Sequence, residues 1–180
     1  MWGVDATMRM VTYGAACSLD GYIAGPRDEV DWLKWSKDVA ALTRALWARI
    51  DTVVMGRRTY EVAVSSGTTA YPGVQNIVFS RSLKPADWPD VTIVSEHPAT
   101  YVRKLKAEAG GEICLMGGGL IAKELIDADL IDEIGVNVQP VILGGGVPFL
   151  PPSERRVQLI LKESRVLTGG CVYALYRVSR

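Results

Sequence analysis

The chain has 180 residues, 48% hydrophobic and 22% charged, which excludes a disordered tail or fibrous repeat and fits one domain, since about 100–200 residues usually share one core. Twenty basic residues balance twenty acidic ones, so the charge footprint of a nucleic-acid or anionic-membrane binder is missing and a small-molecule partner is expected. No apolar run approaches the ~18 residues that cross a bilayer, and the first ten residues lack the basic start and apolar stretch of a signal peptide, so a cytoplasmic location is expected.

Residues 10–16 lean toward a strand and lead through the breakers Leu19-Asp20-Gly21 and Ala24-Gly25-Pro26 into a long loop holding Trp32 and Trp35. Val39, Leu42, Leu46 and Ile50 then recur at three- and four-residue steps, predicting a helix with one buried stripe that ends at Asp51. Residues 52–55 are a short apolar run before Gly56, as in a strand covered on both faces, and residues 57–64 suit a short helix. Residues 77–79 and 91–94 read as two more strands. Thr100 is the expected N-cap of a helix carrying Val102, Leu105 and Ala109 and stopped by Gly110-Gly111. A strand at 113–116, a glycine turn, a helix with Leu120, Ile121 and Leu125, and a strand at 131–138 follow. Residues 157–166 and 171–178 flank Thr168-Gly169-Gly170 as an antiparallel hairpin at the sheet edge. The sum is an α/β fold: one mostly parallel sheet of eight strands, helices interleaved, closed by that hairpin. Domain 9–180 would follow a short extension at 1–8.

Three segments suit anion binding, because a strand end turning into a helix N-terminus offers free backbone N–H groups. Gly56-Arg57-Arg58-Thr59 offers close backbone approach, two guanidinium groups and a hydroxyl; the same segment also reads as a basic helix start. Gly117-Gly118-Gly119-Leu120 lets a pyrophosphate reach the backbone, or is a tight turn; it matches a dinucleotide-binding pattern only loosely, with Gln139 and Pro140 where an acid is expected. Ser80-Arg81 after the strand 77–79 offers a grip for the 2′-phosphate of NADPH, or is a polar loop. His97 is the only histidine and precedes Pro98, which leaves little for a Ser-His-Asp triad or a histidine metal site. Cys17, Cys114 and Cys171 lack a Cys-x-x-Cys spacing and read as core packing in a reducing compartment. Asp20, Asp31 and Asp38 are the candidate acids for orienting a substrate or passing a proton; as structural residues, Asp20 suits a turn and Asp38 a helix start.

Four segments in order, Ser18-Leu19-Asp20-Gly21-Tyr22-Ile23-Ala24, Val54-Met55-Gly56-Arg57-Arg58-Thr59-Tyr60-Glu61, Ile77-Val78-Phe79-Ser80-Arg81 and Met116-Gly117-Gly118-Gly119, resemble the reductase domain at the C-terminal end of the riboflavin-biosynthesis protein RibD. The resemblance runs from about residue 9 to the C-terminus. It implies a dihydrofolate reductase-like fold and NADPH bound along the strand ends. Gly117 to Leu120 and Gly56 to Thr59 would hold its phosphates, and Ser80 and Arg81 its 2′-phosphate. Ala16 and Ile23 fall where that family presents backbone groups to the nicotinamide carboxamide. Hydride transfer to a small heterocycle, an aminopyrimidine or a pteridine, would occur between the first loop and the first long helix. The chain shows no zinc-binding deaminase segment, so the reductase step alone is expected. Dihydrofolate reductases carry a carboxylate on the first helix, and Asp38 lies near that place without the surrounding pattern. Three other readings are a true dihydrofolate reductase, an NADP-binding module without turnover, and glycine turns that serve folding alone. A homodimer is expected if Val172, Ala174 and Tyr176 present an apolar sheet edge.

Overall fold

The computed structural model describes residues 8–179. The extension expected at 1–8 therefore lies outside the described residues, apart from Met8. The main sheet has eight strands: β1 (Val11–Ser18), β3 (Ile50–Gly56), β4 (Gln75–Phe79), β5 (Thr92–Val94), β6 (Glu112–Met116), β7 (Glu133–Gln139), β9 (Leu159–Leu167) and β10 (Cys171–Val178). Their spatial order is β5-β4-β3-β6-β1-β7-β10-β9, and of these only β10 runs against the rest. These are the eight strands the apolar runs predict. A small antiparallel pair, β2 (Tyr22–Ala24) with β8 (Val147–Pro148), lies apart from this sheet.

Alternation along the buried strands separates two cores, as expected of a sheet covered on both faces. Val11, Tyr13, Val54, Ile77, Ile113 and Leu115 pack with Val102 and Leu105 of α3 (Pro98–Lys106) and Ala122 and Leu125 of α4 (Gly119–Asp127). Their strand neighbours Val53, Met55, Val78 and Cys114 face the other way, toward Tyr60 of α2 (Arg57–Ser65) and Leu46 and Trp47 of α1 (Lys37–Trp47). All three cysteines are buried thiols. Burial, and then the Glu112 charge, pushes the Cys114 thiol up to about 12.

Several boundaries differ from the sequence expectation. The stripe through Leu46 does not carry helix α1 to Ile50: Ile50 and Asp51 open β3, because pairing with Glu112 and Ile113 of β6 captures the backbone. Asp51 therefore ends no helix. It pairs with the buried Arg9 and accepts the Gly111 N–H. Helix α3 starts after His97, with Pro98 in its first turn, so Thr100 lies inside it; it ends at Lys106, before the glycine pair. Proline's fixed φ and missing N–H suit that first position. The terminal hairpin forms as expected, but β9 is its edge, and β10 is covered by β7 on one side and β9 on the other. Ala174 is buried, so the apolar edge expected from Val172, Ala174 and Tyr176 does not exist as such.

Candidate functional site

A cleft of about 1610 Å³ opens where five parallel strands end, lined by Ala15 and Ala16 of β1, Gly56, Phe79, Val94 and Met116. The strand order creates it. Sheet growth from β3 runs outward through β4 and β5, then returns as β6 between β3 and β1, and such a reversal leaves a crevice at the carboxyl ends. Helices α2, α3 and α4 all start on this rim, none with a side-chain cap. The first-turn N–H groups of α2 and α4 therefore face the cleft without a local acceptor and favour an anion.

One stretch of β1 is exposed to the cleft by register. Met10 presents its carbonyl to Ile113 on the β6 side, while Val11 bonds to Asp132 on the β7 side. Main-chain groups alternate sides along a strand, so Thr12, Gly14 and Ala16 also face β6. The β6 ladder ends at Gly14 opposite Met116. The N–H and C=O of Ala16 thus point past the end of the neighbouring strand into the cleft.

The glycine turn stands against the start of α2. Gly117 and Gly118 have φ of +65° and +79°, the left-handed region where a side chain costs about 1–2 kcal/mol. A Cβ on Gly117 would lie 3.1 Å from Thr59 Oγ1, and one on Gly118 3.8 Å from the Gly56 nitrogen. Gly119 is closed differently, because a Cβ there would meet the carbonyl oxygens of Pro148 at 2.7 Å and Phe149 at 2.8 Å. The two segments singled out for phosphate binding are therefore one continuous cradle.

The basic side chains divide by partner. Arg57 pairs with Glu61 one turn on, at 3.0 Å. Arg58 makes a forked contact with Asp28, at 2.7 to 3.0 Å, joining α2 to the loop after β2. Arg81 is exposed on the cleft wall. Ser80 is 8% exposed, and its Oγ accepts the N–H groups of Ser82 and Leu83, so its hydroxyl builds the turn that presents Arg81. Ile23 lines the opposite wall with Val30 and Leu33.

None of the three candidate acids lines the cleft. Asp20 accepts the N–H groups of Leu143 and Gly144 and ties the loop after β1 to the stretch before β8. The Ser18 hydroxyl and those amides hold its carboxyl below the usual range. Asp38 bonds Ser36, the N-cap of α1, and accepts the Thr168 N–H at 2.6 Å, which pins α1 to the terminal hairpin; the Ser36 hydroxyl, then the Thr168 amide, hold its carboxyl far down. Asp31 is exposed in the loop before α1. Nor does any residue of α1 line the cleft, whereas loop residues Val30 and Leu33, and Val62, Ala63 and Tyr71 in and after α2, do. Asp28 and Glu124, which do line it, carry no local sequence signal. One sits in an irregular loop at φ +66°, the other amid an ordinary amphipathic helix.

Comparison with known proteins agrees with this geometry. Residues 9–173 match the RibD C-terminal domain. The chain is 32% identical to the uncharacterized protein YwjB of Bacillus subtilis (strain 168), over 83% of this chain and 87% of that protein. Among solved structures, a Shewanella sp. PV-4 protein whose name assigns it provisionally to riboflavin biosynthesis superposes with a TM-score of 0.82 at 28% identity, covering 95% of this chain and 99% of that one. The dihydrofolate reductase of Enterococcus faecalis, complexed with NADP(H), gives 0.69 at 19% identity, covering 95% and 97%, a likeness of fold. Among the described residues no helix is long and apolar enough to cross a membrane.

Proposed function

The chain belongs to the RibD C-terminal domain family, and on that premise we propose that it is an NADPH-dependent reductase that transfers hydride to a small heterocycle, an aminopyrimidine of the riboflavin type ahead of a pteridine. The observation that carries the reading is the cradle of Gly56 to Thr59 and Gly117 to Leu120, two uncapped helix starts meeting over left-handed glycines beside the free main-chain pair of Ala16. A Cβ on Gly117 would crowd Thr59, and one on Gly119 the carbonyls of Pro148 and Phe149. NADPH, when bound, supplies the hydride and its electron pair. The α2 and α4 N–H groups hold its phosphates, with the Thr59 hydroxyl beside them. Arg81 meets the 2′-phosphate as a charged fork, set by the Ser80 turn. The Ala16 N–H and C=O would pair with the carboxamide and orient the ring, with Ile23 beside it in the cleft lining. Asp20, Asp31 and Asp38 all lie outside the cleft wall and are not the donors of the proton that accompanies hydride transfer. No carboxylate of α1 lines the cleft, so the first-helix acid that dihydrofolate reductases carry has no counterpart there, which favours the aminopyrimidine.

The test is a parallel titration of NADPH and NADH followed by tryptophan fluorescence, with Arg81→Ala beside it. A charge-assisted hydrogen bond contributes about 1.5–3 kcal/mol, so NADPH is expected to bind roughly ten- to a hundredfold tighter and the substitution to remove the preference. Failure of both nucleotides to bind overturns the proposal. Binding without hydride transfer to any candidate aminopyrimidine or pteridine selects the non-catalytic module instead. A homodimer, if formed, would use the outer strand β9, where Leu159, Ile160 and Leu161 are exposed; a light-scattering mass of one chain removes it.

A further inference from the structure

We propose that Glu124 reads the exocyclic amino group of the adenine base, which makes the nucleotide site selective for adenine over hypoxanthine; the inference rests on the NADPH reading above. Glu124 and Leu120 lie one helical turn apart on α4 and line the cleft together, as residues four apart on one face do. Leu120 is 73% exposed, an apolar shelf with no protein partner over most of its surface. Glu124 carries the opposite feature. Its Oε2 is buried without a hydrogen-bond partner, and the His97 ring nitrogen Nε2 stands at 3.6 Å, beyond hydrogen-bond length. The other two cleft carboxylates are already engaged, Asp28 by Arg58 and Glu96 by Lys104 at 2.6 Å.

A buried acceptor left unpaired in a cleft wall carries a desolvation penalty that a ligand donor removes. The position identifies the donor. A dinucleotide with its carboxamide at Ala16 and its phosphates on the α2 and α4 starts carries its second base beyond the first turn of α4, toward Leu120 and Glu124. A flat base lies on Leu120, and its edge reaches Glu124. Adenine offers its exocyclic amino N–H at that edge; hypoxanthine has a carbonyl in the same place and its donor at ring N1 instead, so a carboxylate set against the amino position meets an acceptor. The exposed His97 side chain stands beside the carboxylate.

The experiment compares NADPH with its hypoxanthine analogue, deamino-NADPH, on the wild-type chain and on Glu124→Gln, by tryptophan fluorescence titration. The wild type should prefer NADPH by at least about tenfold, the equivalent of one hydrogen bond to a charged group. In Glu124→Gln the amide can rotate to offer either an acceptor or a donor, so the preference should fall to about twofold or less. Equal affinities in the wild type overturn the inference while leaving the NADPH reading standing, and so does a variant that weakens both nucleotides equally, which would place Glu124 on the ribose. Loss of all binding in the wild type overturns the NADPH reading itself. The wild-type comparison needs no folded variant, and the thermal midpoint of Glu124→Gln shows whether its titration reports on a folded chain.

Discussion

Replacing Gly119 by alanine separates ordinary helix chemistry from the close approach that closes the cleft. At an unhindered position with helical φ, Gly→Ala stabilises by about 0.4–1 kcal/mol. Here the new methyl would sit 2.7 Å from the Pro148 carbonyl oxygen and 2.8 Å from that of Phe149. Neither oxygen is free to retreat. Pro148 is paired with Tyr22 in the small sheet, and the Phe149 carbonyl accepts the Tyr13 hydroxyl at 2.6 Å while its ring stacks on Tyr13 at 4.6 Å. Overpacking of this kind costs about 1–3 kcal/mol, and a loosened Tyr13 bond adds about 0.5–1.5 kcal/mol. The net expectation for Gly119→Ala is destabilisation by about 1–3 kcal/mol, a fall in Tm of roughly 2–12 °C for a chain of this size. Gly118→Ala is the control: its nearest neighbour would be 3.8 Å away, so its cost is the left-handed backbone alone, and Gly118→Asn should recover part of it. Thermal and urea unfolding of the three variants reads both effects. A Gly119→Ala chain as stable as wild type would show that the β8 backbone yields, and the steric account of this glycine would be wrong.

Acid should remove the Asp38 clamp. Its folded carboxyl sits below the ordinary value, so its contribution is complete above about pH 4 and fades as pH falls toward the folded value. The stability difference between wild type and Asp38→Asn, followed by urea midpoints, should be constant from neutral pH to about pH 5 and shrink below about pH 4; an unchanged difference at about pH 3 refutes the clamp. Asp28→Asn should cost no more than about 1 kcal/mol, as for an exposed pair, yet speed proteolytic cleavage between residues 25 and 35, because Arg58 is the side chain that ties Asp28 across the cleft. Equal cleavage rates would mean that the loop is held by its own turns. The buried thiols should resist a thiol reagent at about pH 8 until the chain unfolds, when all three react; rapid labelling of the native protein contradicts their core placement.

Local pattern located the elements of the sheet. Runs such as Val53-Val54-Met55 and Ile113-Cys114-Leu115-Met116 are apolar at every position because both faces are covered, and Gly56, Gly110-Gly111 and Gly117 punctuate them. Boundaries failed where two signals met. The helical period runs through Ile50, but the ladder to β6 outcompetes one more turn of helix, and Pro98 sets the start of α3 more strongly than the Thr100 hydroxyl. The β2 and β8 pair escaped notice since three and two residues, one of them a proline, make no period at all.

The sequence by itself determined the strands, the glycine turn and the family motifs, because each depends on the covalent chain over a few residues: side-chain period, breakers, and residues able to hold left-handed φ. Only the tertiary structure decided which candidates share a site. The return of β6 between β3 and β1 brings Ala16, Gly56 and Gly117 to one cleft, and no local rule encodes that order. The same topology sends Asp20 to the backbone of residues 143–144 and Asp38 to the hairpin turn at Thr168. A carboxylate is committed by whichever donors the fold places beside it: next to the local Ser18 and Ser36 hydroxyls, the backbone donors here lie more than a hundred residues away in the chain.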